Sequence, residues 1–286
     1  MDLQASIACA FEAACLDELE APKPGNVHVL AGGHAMTVED FKLAARNAAP
    51  FIAAMGARIG ERISRAVSAS VEASGKNINL GIVLLCAPLA AAAETKEPDL
   101  RAALARVLEH LDREDARLAF AAILRASPGG LGDVPRHDVR SPPTVSLREA
   151  MAEAASRDRI ARQYDSGFAD VFDIGLTSLR RSLARDPEPR LATLAVYLAF
   201  LASSPDTHII RKQGAAAAER VSRLAQSMLV QIEGGIGLEA LKGELMAWDL
   251  ELKRAGINPG TSADLTVATL FAANLQSILR RAGNSD

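Results

Sequence analysis

The stretch Leu80-Gly-Ile-Val-Leu-Leu-Cys-Ala-Pro-Leu-Ala-Ala-Ala-Ala-Glu94 decides the fold. It is apolar nearly all round and built mainly from alanine and leucine, the residues that lead the helix-propensity ranking. Strands favour β-branched and aromatic side chains instead. A helix that is apolar on every face is buried, so residues 80–94 are predicted to form a central helix surrounded by others. The run contains Pro88 and is too short to span a bilayer.

Outward from that stretch the same composition holds. Of 286 residues 49% are hydrophobic but only 4% aromatic, and alanine runs recur, as at Ala215–Ala218. A core of alanine and leucine suits close-packed helices. The chain therefore reads as all-α, a single-domain compact multi-helix array over residues 1–286. An amphipathic helix is expected over 2–19, with Ile7, Phe11, Ala14 and Leu19 near helical spacing. It stops at Ala21-Pro22-Lys23-Pro24-Gly25. A loop runs to about Met36, and Thr37 with Asp40 opens a helical pattern through Val71 that has a boundary near Pro50 and ends at Ser74-Gly75. Further helices are expected over 99–110, 113–126, 147–185, 189–203, 208–232, 238–255 and 262–283. Within 147–185, Ile160, Tyr164, Phe168, Val171, Phe172 and Gly175 form one core-facing stripe, with Asp165 at its edge and Asp173 opposite. The long irregular stretch 127–146 holds four prolines and three glycines, and with Asp133, His137 and Asp138 it is expected to act as a lid.

Several function classes are excluded. A net charge of −3, with both signs interspersed, gives no basic stripe for nucleic acid. Cys9, Cys15 and Cys86 are odd in number and show no CxxC, which fits reduced core thiols of a cytoplasmic protein. The first twenty residues carry no basic leader segment, so neither secretion nor a membrane is expected. The five histidines make no HExxH pair, which argues against zinc, and no GxSxG elbow is present. His28, His34, His137 and His208 fall in or beside candidate site loops, while His110 is expected to face a helix C-terminus.

Four clusters carry chemistry. Glu20-Ala-Pro-Lys23-Pro-Gly-Asn26-Val27 places a carboxylate, an ammonium and an amide around a rigid turn; alone it reads equally as a helix stop with surface charges. Ser74-Gly-Lys76-Asn77-Ile-Asn79-Leu-Gly81 precedes the buried helix, where an asparagine caps and helix-start N–H groups with Lys76 can face a phosphate. Pro205-Asp206-Thr-His208-Ile-Ile-Arg211-Lys212 sets a carboxylate five and six positions ahead of two cations; the simpler reading is a helix cap with solvated charges. Asn258-Pro-Gly-Thr-Ser262-Ala-Asp264 is a glycine turn into a helix start, with Asp264 at a capping-box-like position after Thr261.

Together, and in this order from residue 20 to 265, the four resemble the triphosphoribosyl-dephospho-coenzyme A synthase family. That family pairs an E…PKPG segment with a GxNT-type glycine motif, a D-[ST]-x-hydrophobic-x-[RK] segment and a closing PGGSADL-type motif. The resemblance implies a transferase that binds ATP or another phosphorylated small molecule with Mg²⁺ and displaces adenine to attach triphosphoribose to a hydroxyl. It implies Glu20, Asp206 and Asp264 as catalytic and metal-binding carboxylates. Lys23, Asn26, Lys76, Asn77, Asn79, His208, Arg211, Lys212 and Ser262 are the implied substrate-binding residues. Both aspartates are expected at helix starts, where asparagine would cap as well.

One departure matters. Coenzyme A-directed members read asparagine-threonine-histidine-lysine-glycine where this chain has Asn77-Ile-Asn79-Leu80-Gly81, so a titratable ring and a charge are lost. This, with the segments Arg159–Asp165 and Phe168–Phe172, is similar to the branch linked to tetrahydromethanopterin and one-carbon metabolism. Two other readings stand beside the first: a different transferase or ligase step in tetrahydromethanopterin or methanofuran assembly, and a catalytically silent helical binding protein.

Overall fold

The computed structural model describes residues 2–126 and 138–283; residues 127–137 of the expected lid, including Asp133 and His137, lie outside the described residues. The fold is all-α. Among the described residues the only β pairing is two isolated bridges, His28 with Ala31 and Gly33 with Met36. The helices are α1 Leu3–Glu20, α2 Val38–Ile52, α3 Ile59–Ser74, α4 Leu80–Glu94, α5 Leu100–Glu109, α6 Arg113–Ala126 and α7 Leu147–Ala154. They continue with α8 Arg159–Ser166, a π turn at Asp170–Gly175, α9 Leu176–Arg185, α10 Pro189–Ser203, α11 Thr207–Gln213, α12 Ala215–Glu233, α13 Leu238–Arg254 and α14 Gly260–Gly283.

Helix ends follow local chemistry. Asp99 caps α5 by accepting the Arg101 and Ala102 N–H groups, and Asp158 does the same for Ile160 and Ala161 of α8. Ser146 and Glu149 close a reciprocal capping box on α7. Glu188 caps α10, with Pro189 in the first turn where its missing N–H costs nothing. Gly75, at φ 68°, ends α3 and returns its N–H to Val71. His110 ends α5 with its Nδ1 2.7 Å from the Arg106 carbonyl.

Two expected helices are interrupted. The 147–185 pattern breaks at Asp158, at Gly167 (φ 64°) and through the π turn. Phe168 then adopts φ 60°, rare for a side-chain-bearing residue, and buries against Tyr164 with ring centroids 5.8 Å apart. The stripe itself is buried throughout, while Asp165 and Asp173 are exposed. The 208–232 pattern breaks at Gly214, φ 84°. Of the three cysteines Cys15 and Cys86 are buried thiols, but Cys9 is exposed.

The chain forms two compact units, each assembled from separated segments. One comprises Met1–Ala14, Asp40–Phe168 and Phe271–Asp286. Here α3 packs on α4 and α6, and α4 packs on α5 and α8. As predicted, α4 is a core helix, with Val83, Leu85, Cys86 and Leu89 fully buried. Phe11 and Phe271 meet edge to face at 5.8 Å. The other unit comprises Cys15–Glu39 and Ala169–Leu270. In it α10 packs on α9 and α12 around Leu194, Leu198, Leu201, Ala218 and Val221. Gly175 meets the side chain of Thr269 so closely that an added Cβ would stand 2.2 Å from its hydroxyl.

A surface pair in the first unit gives a pH signature. The Arg58 guanidinium bonds to Asp112, which also caps α6 at Glu114 and Asp115, and this holds the Asp112 carboxyl down to about 2 from an ordinary 3.8. A carboxyl depressed by folding stabilises the protein above its unfolded value and loses that contribution as pH falls through its folded value. Urea midpoints of the wild type should therefore lose a small increment between about pH 4 and pH 2, larger than the one Arg58→Met loses. Parallel acid profiles for the two proteins would contradict this.

Candidate functional site

Three of the four motifs interlock inside the second unit. The first begins where α1 stops at Glu20, because Pro22 and Pro24 bar another turn. Gly25 is required by two features: its φ is 81°, and a Cβ there would stand 2.9 Å from both Leu252 and Pro259. The Tyr197 hydroxyl donates to the Pro24 carbonyl at 2.7 Å. Asn26 Nδ2 donates to Asn258 Oδ1 at 2.9 Å, joining the first motif to the fourth.

The third and fourth motifs meet at Asp206. Its Oδ1 accepts the N–H groups of His208 (2.9 Å) and Ile209 (3.2 Å), which caps α11. Its Oδ2 accepts the backbone N–H and the hydroxyl of Ser262, both at 2.8 Å, which caps the start of α14. One buried carboxylate thus ties two helix starts together. The Thr207 and Thr261 hydroxyls lie 3.0 Å apart beside it, and His208 rests against Gly260, where a Cβ would come within 2.3 Å of the ring. Burial pushes the Asp206 carboxyl up, while the bonds from Ser262, Ile209 and His208 oppose that rise.

The remaining expected residues fall as follows. Glu20 and Lys212 are exposed, and Arg211 and Asp264 are half-buried. Ser262 is fully buried and serves Asp206. Lys23 is fully buried and points inward: its ammonium lies 3.0 Å from Glu18 and donates to the Val27 carbonyl at 2.7 Å. Burial lowers the Lys23 pKa and raises that of Glu18, against their mutual attraction. In the first unit, Lys76 pairs with Asp40 at 2.7 Å and Asn77 is exposed. Asn79 stands at the α4 cap position, yet its side chain makes no cap bond. It is buried and donates instead to the Ser70 hydroxyl at 2.9 Å.

Among the described residues no group of three or more His, Cys, Asp and Glu stands together to hold a metal ion. Reading motifs alone missed Glu18, Asp249 and Lys253. Asp249 accepts the Gly25 N–H at 2.9 Å and pairs with Lys253 at 2.9 Å, with His28 Nε2 3.4 Å away. The available signal was Asp249 itself, a charge within the apolar face of Leu245, Trp248 and Leu252.

The family described as ATP:dephospho-CoA triphosphoribosyl transferase matches residues 4–282. The 2-(5''-triphosphoribosyl)-3'-dephosphocoenzyme-A synthase of Escherichia fergusonii is 34% identical over 114 residues, 38% of this chain and 36% of that relative. The match therefore spans well under two thirds of that relative's length. A crystal structure from Archaeoglobus fulgidus, provisionally assigned as a triphosphoribosyl-dephospho-coA synthase, aligns with a TM-score of 0.62 at 26% identity. That alignment covers 80% of this chain and 96% of the other. Among the described residues no helix is long and apolar enough to cross a membrane.

Proposed function

Because the chain belongs to the ATP:dephospho-CoA triphosphoribosyl transferase family, we propose that it is a transferase that binds ATP, or a related phosphorylated nucleotide, and moves a ribosyl-type group during cofactor biosynthesis. The observation that carries this reading is the interlock of the first, third and fourth motifs through Asn26–Asn258 and Asp206–Ser262. Asn26 and Asn258, more than two hundred residues apart in the chain, bond to each other through a half-buried pair of amides.

The chemistry has definite needs. The bond from C1′ to the adenine nitrogen breaks with its electron pair leaving on adenine, and a bond from C1′ to the acceptor oxygen forms. Positive charge grows at C1′, so nearby carboxylates stabilise the transition state. The hydroxyl proton passes to a base. Of the three expected carboxylates, Asp264 and Glu20 take these roles in this reading, because Asp206 commits both oxygens to Ser262, His208 and Ile209. Arg211 and Lys212 on α11 are its phosphate-facing cations, since Lys23 is turned to Glu18. Mg²⁺ would enter with the triphosphate, as part of the substrate, and neutralise its charge there.

The acceptor is a second question. Asn79 is buried against Ser70, cannot exchange a proton near neutral pH, and is followed by the uncharged Leu80. This favours an acceptor other than dephospho-coenzyme A, in one-carbon cofactor assembly. Calorimetry should show ATP binding at least about tenfold tighter with Mg²⁺ than without. Adenine release measured with dephospho-coenzyme A as acceptor should stay near background. Brisk release would overturn the acceptor reading, and no binding of ATP or other phosphate esters would favour a silent binding protein.

A further inference from the structure

Two residues outside every motif hold the first motif in shape. Asp249 and Lys253 are four apart on α13 and so share a face of it. Asp249 Oδ1 accepts the Gly25 N–H at 2.9 Å. Its Oδ2 accepts Lys253 Nζ at 2.9 Å and lies 3.4 Å from His28 Nε2. Lys253 Nζ also donates to the Ala31 carbonyl at 3.0 Å, the same carbonyl that accepts the His28 N–H. Gly33 lies against the Lys253 stem, where a Cβ would stand 2.9 Å from Cε. The contacts fall on Gly25, His28, Ala31 and Gly33, the length of the loop.

The loop needs such a clamp. His34 and Ala35 both have positive φ, 55° and 60°, a backbone shape that side-chain-bearing residues rarely adopt and that persists only when its surroundings enforce it. His34 Nε2 is fixed 2.8 Å from the Gly25 carbonyl. Burial, with Lys253 and Lys23 nearby, lowers the His28 pKa against the pull of its bond to Asp249, so the ring is neutral. Asp249 is kept ionised because the bonds from His28, Lys253 and the Gly25 N–H outweigh the cost of its burial. His28 Nδ1 and Asn26 Oδ1, both in this loop, are buried and take no hydrogen bond from the protein. Buried polar atoms are nearly always partnered, so two in one loop mark a segment shaped for a ligand's polar groups.

We propose that Asp249 and Lys253 are positioning residues: from α13 they fix the backbone at Gly25 and Ala31 and the His28 ring in the conformation that receives the nucleotide. This rests on the nucleotide-binding reading above. Lys253 Nζ lies 3.5 Å from His28 Nε2 and donates to Ala31 and to Asp249, and arginine can supply these last two bonds while methionine supplies neither. The clamp acts through the loop and touches no reacting atom.

The test uses Asp249→Ala, Lys253→Met and Lys253→Arg in the full chain, with Lys242→Met on the exposed face of α13 as control. Amide hydrogen exchange at Gly25 reports the clamp directly, and calorimetry with ATP·Mg²⁺ reports its consequence. Asp249→Ala and Lys253→Met should each speed Gly25 exchange and weaken ATP·Mg²⁺ binding by about tenfold, with Lys253→Arg recovering most of the affinity and Lys242→Met unchanged. Should Asp249→Ala fail to fold, Lys253→Met carries the same test. Unaltered Gly25 exchange overturns the proposal, as does faster exchange with undiminished affinity. A wild-type protein that binds no ATP sinks the nucleotide reading instead, and Gly25 exchange then decides the clamp alone.

Discussion

Asp206→Ala is expected to destabilise the second unit by about 3–5 kcal/mol, because it strips three backbone N–H groups and one hydroxyl of a shared acceptor. A lost N-cap costs about 1 kcal/mol by itself. Here two helix starts lose theirs together, and both lie where water cannot substitute: Asp206 is 1% exposed and Ser262 0%. Asparagine is the more telling variant. Reading Asp206 only as the cap of α11 predicts that asparagine replaces it at little cost, while its further bonds to Ser262 predict a larger one. An amide has one acceptor oxygen. If that oxygen serves His208 and Ile209, the NH₂ group faces the Ser262 N–H, donor against donor. Asp206→Asn should therefore recover at most about half of the alanine penalty, and urea denaturation followed by circular dichroism would measure it. Stability within about 0.5 kcal/mol of wild type would show that one helix start can do without the carboxylate.

The cap at Asp206 was legible in the sequence and its bonds to Ser262 were not, which marks where sequence reading succeeds and where it stops. Local chemistry was legible. The end of α3 and the start of α10 fall where they were expected, because Gly75 and the Glu188-Pro189 pair are strong punctuation. The continuous helix expected over 147–185 hid its breaks. The apolar stripe keeps its spacing across them, although Asp158 before Arg159 was a readable cap. A motif shows which groups are present but not which way they point. Asn79 has the position of a cap and the bonds of a core residue. Asp249 and Lys253 belong to no motif at all, since their partners are backbone groups more than two hundred residues earlier.

Lys23 poses the same question most sharply, and its substitution separates the two answers. If its ammonium held a phosphate, Lys23→Met would fold normally and lose affinity for ATP. In the structure the ammonium is fully buried, 3.0 Å from a Glu18 that is itself 3% exposed. Removing one partner of a buried pair leaves the other charge uncompensated, at a cost of about 3–5 kcal/mol. Glu18→Gln with Lys23→Met removes both charges and should restore much of that loss, leaving a coupling of about 2 kcal/mol or more in a double-mutant cycle. The pH dependence supplies an independent check. Burial already raises the Glu18 carboxyl, and Lys23 is the group that opposes the rise. Without Lys23 the folded value lies further above the unfolded one. A carboxyl raised by folding contributes stability below its unfolded value and loses it as pH climbs through its folded value. Lys23→Met should then approach wild-type stability near pH 4 and fall away from it toward pH 8, while the double variant shows no such divergence. A Lys23→Met protein with wild-type stability at every pH and a selective loss of ATP affinity would return this lysine to the phosphate.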